Sequence, residues 1–454
     1  MDSKTPLQDL PAPVSHTMEP STHKKCKKRR LFRAVVFSAL CLWLGSRYLG
    51  LGSSATIDFH RVETSWPIPS DVSVDHCAEW SHVGESDAVE DFPYSADTSF
   101  QLPVASDTLF LLSRSVGRGV FVAGRVNFLQ SEDILDTVQV DVTAHFWREE
   151  HLDGAKACLL SREKDQNGIG IFSKWDGGGH RDRHDKMRFE VTVTFPQTSD
   201  DSPLSINNLS TDLHVFTQVF GDMSNIAFKS LAIKGSVGGI HAESLSTGNA
   251  SIRTSVGPIR LQSLIAESAD ISSSVGPIEG TFNSSNTLIL HTSNGPINVD
   301  VNLSNNENKQ AAKLRMHTSN GYIQGNINLA SSKKSDAAFD ITARSSNARL
   351  KLDVLTAPIA SNITLRATTS VGSAAVKLPT TYEGSFTAST SISSVAVTVD
   401  QEAEDPAGKG RARRMETDDQ RRGTVRGRVG WSDEGMKRGA VSVRTSLAPV
   451  TLEF

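Results

Sequence analysis

From about residue 226 to the end, apolar side chains recur at every second position in short runs, the signature of strands with one face turned inward. In ASIRTSVGPIRL the alternating small or apolar positions before the glycine are Ala250, Ile252, Thr254 and Val256, and those after it are Ile259 and Leu261. The inward set therefore changes from even to odd across Gly257-Pro258. The same change separates Leu288, Leu290, Thr292 and Asn294 from Ile297, Val299 and Val301, and it separates Val441, Val443, Thr445 and Leu447 from Val450, Leu452 and Phe454. One straight strand cannot offer both parities to one core, so each such phrase is expected to turn the chain round a corner with both arms facing in. Glycine supplies the dihedral freedom, and proline removes an N–H that a corner could not pair.

The corner repeats. Aligning the Ser of [TS]-S-x-G-x-I gives Ser236, Ser255, Ser274, Ser293, Ser319, Ser346, Ser370, Ser394 and Ser446, with steps of 19, 19, 19, 26, 27, 24, 24 and 52 residues. A step near twenty marks a stacked array in which each unit buries its apolar face against its neighbours. The pattern predicts a β-solenoid of about nine coils over residues 226–454. The longer steps read as insertions, a charged stretch at 402–422 as a disordered one, and the carboxyl-terminal strand as the outermost. The residue after the aligned Ser is Val237, Val256 and Val275, then Asn294, Asn320 and Asn347, then Val371. Taken as an inward position, it predicts that the three asparagines stack as a structural amide ladder. His291, His317 and Arg344, one position before the Thr or Ser, read as an outward stripe that is either cationic or simply solvated.

Upstream, Thr108–Ser113, Thr137–Trp147 and Met187–Pro196 also alternate, and residues 101–225 read as a small β-sandwich-like module. Within it, Trp175–Lys186 holds His180, Asp182, His184 and Asp185, side chains of metal-ligand type at close spacing. Three consecutive glycines and alternating charges describe a hairpin tip better than a rigid site, so no metal is expected there.

The amino-terminal pattern differs. Leu31 to Leu51 is apolar apart from Arg33 and Arg47, and its 21 residues suffice to cross the roughly 30 Å hydrocarbon layer. Residues 1–30 read as a disordered, basic cytosolic tail ending in Lys24, Lys25, Lys27, Lys28, Arg29 and Arg30, whereas 52–100 form an acidic linker. Positive charge stays on the cytosolic side, so 31–51 is expected to be the transmembrane helix of a single-pass type II signal anchor, with the rest at the cell surface or in the secretory lumen. Cleavage near Ala55, giving a secreted protein, is the alternative.

Composition sharpens this address. A net charge of −4 and a pI near 6.4 give no reason to expect a nucleic-acid partner. Of the four cysteines, Cys26 is a palmitoylation candidate beside the membrane and Cys41 falls within the span. Cys77 and Cys158 lie beyond it, as a disulfide pair or as two free thiols. The N-x-S/T sequons at Asn208, Asn249, Asn283, Asn302 and Asn362 are glycosylation candidates, all beyond the span.

The recurring [TS]-S-x-G-x-I at about twenty residues per unit resembles the bacterial putative-adhesin family, auto-transporter-adhesin-like β-repeat domains of unknown function. With the anchor and the β-rich module, the chain resembles fungal membrane-anchored proteins that carry such a domain. The resemblance covers residues 101–454, implies a β-solenoid and a surface address, and brings no catalytic or cofactor-binding residues.

The function expected is therefore a membrane-anchored scaffold, not an enzyme, that binds cell-wall polysaccharide, a protein or itself. Two readings stay open beside it. A polysaccharide-cleaving enzyme would need paired carboxylates on neighbouring coils, and Asp270, Glu279, Asp300, Asp340 and Asp353 occupy different coil positions. A signalling or assembly partner would act through the cytosolic tail.

Overall fold

The computed structural model describes residues 66–85, 92–117, 122–134, 136–175, 187–198, 202–305, 310–332 and 337–454. The expected tail, the 31–51 span, Cys26, Cys41 and the glycine-rich tip with His180, Asp182, His184 and Asp185 lie outside the described residues. Among the described residues, no helix is long and apolar enough to cross a membrane.

Nearly all of the described chain is strand. The first nine strands are β1 (Ser73–Cys77), β2 (Ser81–Glu85), β3 (Tyr94–Pro103), β4 (Thr108–Gly117), β5 (Val122–Ile134), β6 (Thr137–Phe146), β7 (Ala155–Ser161), β8 (Gln166–Trp175) and β9 (Met187–Gln197). Next come β10 (Leu204–Leu213) and four long strands, β11 (Phe216–Gly235), β12 (Ile240–Val256), β13 (Ile259–Val275) and β14 (Ile278–Thr292). The remainder are β15 (Ile297–Ser304), β16 (Ala312–Thr318), β17 (Ile323–Ala330), β18 (Ala338–Ser345), β19 (Leu350–Thr356), β20 (Asn362–Thr368), β21 (Ala374–Lys377), β22 (Gly384–Ser389), β23 (Val395–Thr398), β24 (Arg414–Arg421), β25 (Thr424–Gly430), β26 (Gly439–Arg444) and β27 (Val450–Glu453).

They pair into two ladders. One runs through β8, β4, β10, the carboxyl-terminal halves of β11 to β14, then β16, β18, β20, β26 and β22, parallel throughout. The other runs through β9, β5, the amino-terminal halves of β11 to β14, then β15, β17, β19, β21, β27 and β23, also parallel. Each long strand thus serves both ladders, and after β14 the two ladders are served by separate, shorter strands.

The inward rows of both ladders meet in one apolar core that runs from Ala96 to Phe454 without a break at residue 225. Antiparallel strands close its amino-terminal end, with β3, β6 and β9 on one ladder and β1, β7 and β8 on the other. Residues 66–85 and 92–100, within the stretch expected to be an acidic linker, hold β1, β2 and most of β3. In β3 the inward Ala96, Thr98, Phe100 and Leu102 are buried while the acidic Asp97 points out to the other face. Trp66, Ile68, Val72 and Cys77 cover a second cluster of Phe110, Leu112, Cys158, Leu160 and Phe172, and Cys77 is disulfide-bonded to Cys158.

Parity changes at the corners as the sequence requires: Ile252 and Thr254 are buried before Gly257, and Ile259 and Leu261 after it. The residue after the aligned Ser, however, faces outward. Val237, Val256, Val275, Val371 and Leu447 are 46–49% exposed, and Asn294, Asn320 and Asn347 are exposed with them. The inward run stops at the Thr because the chain has already begun to bend. Gly238 lies at φ +136°, and a Cβ on Gly257 would overlap the carbonyl oxygen of Gly238 on the coil beneath.

What closes each corner is the buried Thr or Ser hydroxyl. Thr254 Oγ1 donates to Gly238 O (3.1 Å), Ser273 Oγ to Gly257 O (3.1 Å), Thr292 Oγ1 to Gly276 O (3.2 Å) and Thr318 Oγ1 to Gly295 O (3.0 Å). The line continues with Ser345 to Gly321 O, Thr369 to Ala348 O, Thr445 to Gly372 O and Thr390 to Ala448 O, each at 3.0 Å. In the middle coils the same hydroxyl accepts from its own corner, Gly295 N to Thr292 Oγ1 (3.0 Å) and Gly321 N to Thr318 Oγ1 (3.1 Å).

The end of the stack departs from chain order. β26 lies between β20 and β22, and β27 lies between β21 and β23, so the carboxyl-terminal coil is threaded inside and the coil before it is outermost. That outer coil turns at Thr390-Ser391, where Ser391 N donates to Ser446 O, and not at Ser393-Ser394. Phe454 supplies the apolar bulk of the threaded coil, its ring 5.7 Å from Tyr382 and 5.2 Å from Phe386. A long connection makes the threading possible, because loop-closure cost grows only slowly with length.

Residues 402–422, expected to be disordered, follow a defined path. Asp405 accepts both Nε and Nη2 of Arg411 at 2.8 Å, and β24 pairs antiparallel with β25, which in turn pairs antiparallel with β22. A charged sequence forms a hairpin here because β22 offers it a free edge.

Replacing the buried Thr318 by Val removes both of its hydrogen bonds and leaves Gly321 N unpaired, so Thr318→Val is expected to cost about 1–3 kcal/mol in denaturant unfolding. The same change at the outward Thr342 should stay within about 0.5 kcal/mol.

Candidate functional site

The outward rows of the two ladders differ in chemistry. On the second ladder they are rich in amides. Asn302 Nδ2 donates to Asn283 Oδ1 (2.7 Å), Asn328 Nδ2 to Asn302 Oδ1 (3.0 Å), and Thr356 Oγ1 to Asn328 Oδ1 (3.2 Å). Beside this row, Asn326 Nδ2 donates to Asp300 Oδ1 at 2.8 Å. At the corner, Asn320 Nδ2 donates to Asn294 Oδ1 (2.7 Å) and Asn347 Nδ2 to Asn320 Oδ1 (2.6 Å), a ladder on the surface and not in the core.

On the first ladder the outward rows are cationic. One row places His291, His317, Arg344, Thr368 and Arg444 on successive strands, and the next places Arg315, Thr342, Arg366 and Ser442. The rings of His291 and His317 stack 5.1 Å apart at 8°. Burial, helped by the charges of His291 and Arg344, holds the His317 imidazole below its ordinary pKa. His291, His317 and Arg344 were visible in the sequence as one stripe. Arg444 was not, because only the threading of β26 brings it alongside.

The five acids weighed for glycoside chemistry are each already engaged. Asp270 pairs with Arg253 (2.6 Å), Glu279 with Arg260 (2.8 Å), Asp353 with Lys351 (2.9 Å) and Asp340 with Arg366 (3.5 Å), while Asp300 accepts from Asn326. Among the described residues, no group of three or more His, Cys, Asp or Glu side chains could hold a metal ion. An open cleft of about 710 Å³ lies where β19, β21, β27 and β23 end, lined by Asp353, Leu355, Lys377, Asp400, Glu453 and Phe454 among others.

The five sequons all fall within strands. Asn249 and Asn362 are exposed, while the amide nitrogen of Asn208 is bonded to Asp107 O at 2.8 Å and that of Asn302 to its neighbour in the amide row.

In comparison with known proteins, a family described as a domain of unknown function, DUF7330, matches residues 249–404. The match stops before the β24–β25 hairpin and the threaded last coil. No curated protein matches the sequence. Among solved structures, a putative adhesin from Bacteroides fragilis aligns at 14% identity and a TM-score of 0.28, over 65% of this chain and 100% of its own. A putative adhesin from Parabacteroides distasonis aligns at 13% identity and a TM-score of 0.32, over 61% of this chain and 96% of its own. A putative cell adhesion protein from Clostridium sporogenes aligns at 8% identity and a TM-score of 0.16, over 79% and 99%. Scores of this size carry neither fold nor function across.

His145, His241 and His317 have pKa values lowered chiefly by burial. The folded chain therefore binds fewer protons than the unfolded chain below the ordinary imidazole value of about 6.5. Their contribution to stability is full above that value and is lost as the pH falls toward the lowered ones. Thermal unfolding followed by circular dichroism should show Tm dropping as the pH falls below about 6.5, with a smaller drop in His317→Gln.

Proposed function

We propose that this chain is a membrane-anchored, outward-facing β-solenoid scaffold that binds in the manner of an adhesin, through the flat outer faces of its ladders, to cell-wall polysaccharide, a protein or a second copy of itself. The observation that carries this reading is the regularity of the outward rows: amides, hydroxyls and cations repeat from strand to strand at the ~4.8 Å spacing of a parallel ladder. Such a surface suits an extended, repetitive ligand better than a small molecule.

An outward address is supported by the Cys77–Cys158 disulfide, which persists in oxidising compartments, and by the basic run ahead of the apolar 31–51 stretch. A non-catalytic role is favoured by the ion pairs and hydrogen bond that occupy the five acids. Exposed Asn249 and Asn362 are the sequons best placed for glycosylation. A palmitoyl group on Cys26 would reinforce the anchor.

The purified full-length protein in detergent should co-sediment with at least one insoluble wall polysaccharide, or self-associate in analytical ultracentrifugation. Absence of polysaccharide binding, of self-association and of any cross-linked surface protein on intact cells would refute the reading.

A further inference from the structure

Along the first ladder, the outward cations change character at β14. Before it, in the row that continues to Arg344, they are matched by acids: Lys234 lies 3.5 Å from Asp212, and Arg253 lies 2.6 Å from Asp270. Beyond it the matching fails. Among the described residues, Arg315, Arg344 and Arg444 form no ion pair, and all three are exposed. Arg366 alone in these rows has an acidic partner, Asp340 at 3.5 Å, a pair like those upstream, and it is left out of the strip.

We propose that the outward face of the first ladder, from β14 to β26, is a binding strip for a linear polyanionic polysaccharide. The proposal rests on the scaffold reading above and names its ligand class and site. Arg344 and Arg444 share a row and are two strands apart, hence about 10 Å along the stacking axis, and Arg315 lies one strand before Arg344 and two residues aside. A stiff polymer with charges at regular intervals, laid along this axis, meets the three guanidinium groups together, and simultaneous contacts multiply in affinity. Guanidinium forks suit carboxylate and sulfate oxygens, since both offer planar or near-planar pairs of acceptors.

The groups between the arginines fit the uncharged parts of a sugar chain. Thr342, Thr368 and Ser442 occupy the same two rows and both donate and accept hydrogen bonds. The stacked His291 and His317 continue the strip at its upstream end. None of these positions carries the Phe, Tyr or Trp that would stack a nucleobase, which separates the strip from a single-stranded nucleic-acid channel. From β15 onward the opposite ladder turns Asp300, Asp353 and Glu453 outward against Lys351 and Lys377, so it offers a polyanion no net positive charge. The sign of charge therefore selects one face.

The full-length protein is titrated, in detergent and at low salt, with dextran sulfate, polygalacturonate, neutral dextran and single-stranded DNA. Wild-type protein should bind dextran sulfate or polygalacturonate, the tighter of the two identifying sulfate or carboxylate as the preferred anion, with weaker binding as salt rises. The triple variant Arg315→Thr, Arg344→Thr, Arg444→Thr places in these rows a residue they already hold, and should lose about tenfold or more in affinity. The corresponding Arg→Lys triple should retain most of the binding. Lys351→Thr with Lys377→Thr, on the opposite ladder, should leave it unchanged.

The basic run at Lys24 to Arg30 is intact in every variant, so polyanion binding by the tail would survive the triple Thr substitution and overturn the proposal. Tighter binding of DNA than of either charged polysaccharide would overturn it too. Loss of binding in the Thr triple together with loss of folding, read by circular dichroism, passes the decision to the Lys triple, whose failure to bind while folded would refute a charge-based strip. Binding of neutral dextran alone, or of a wall polymer by wild type and Thr triple equally, would sink the strip and leave the scaffold reading standing.

Discussion

The constraint on which this structure depends is the hydrogen bond from a buried Thr or Ser hydroxyl to the corner carbonyl of the coil beneath. It recurs at eight corners with donor–acceptor distances of 3.0–3.2 Å. Its net worth is about 1 kcal/mol per coil, less than burying a single Leu or Ile, which contributes roughly 1.5–3 kcal/mol. Apolar burial thus supplies most of the stability. Burial alone, however, would tolerate a coil displaced along its neighbour, whereas the hydroxyl has one acceptor within reach, so the hydrogen bond sets register.

Fixed register has a consequence on the outside. When every coil sits in step with the last, outward residues fall into straight rows, and a residue type repeated at one coil position becomes a stripe. The amide row of Asn283, Asn302 and Asn328 and the cationic row of His317, Arg344 and Arg444 are both products of this alignment. Opposite faces can then be given opposite character without disturbing the core between them. The acids on the amide-rich ladder and the arginines on the other share one set of buried Leu, Ile and Val residues.

Much of the core side of this architecture was legible in the sequence, because stacking writes itself as periodicity. The spacing of Ser255, Ser274 and Ser293 and the parity change at Gly257 give the coil and its corner directly. Val256 misled because alternation alone cannot show where a strand starts to bend, and a β-branched residue suits extended backbone at a corner even when exposed. Asp97 misled in the opposite sense, its acidity hiding the buried Phe100 and Leu102 beside it. The order of the last coils was not legible at all. Nothing local in VSVRTSLAPVTLEF states that it will pair between Thr369 and Thr390, since that choice is made by long-range packing of Phe454 on Tyr382 and Phe386. Arg444, and with it the full extent of the cationic strip, was hidden for the same reason.

Disulfide trapping at the corner tests most directly whether the hydroxyl line, and not chain order, decides which coil lies on which. Val371, Leu447 and Ile392 are exposed and occupy the same corner position on three coils, so cysteines introduced there perturb no core packing. Leu447 N donates to Ser370 O and Ser391 N donates to Ser446 O, placing Leu447 between the other two. Mild oxidation of Val371→Cys with Leu447→Cys should give a cross-link in high yield, detected by mass spectrometry of the joined peptides. Val371→Cys with Ile392→Cys, two coils and about 10 Å apart, should give none. The reverse result would mean that the coils stack in chain order and would contradict the threaded corner line.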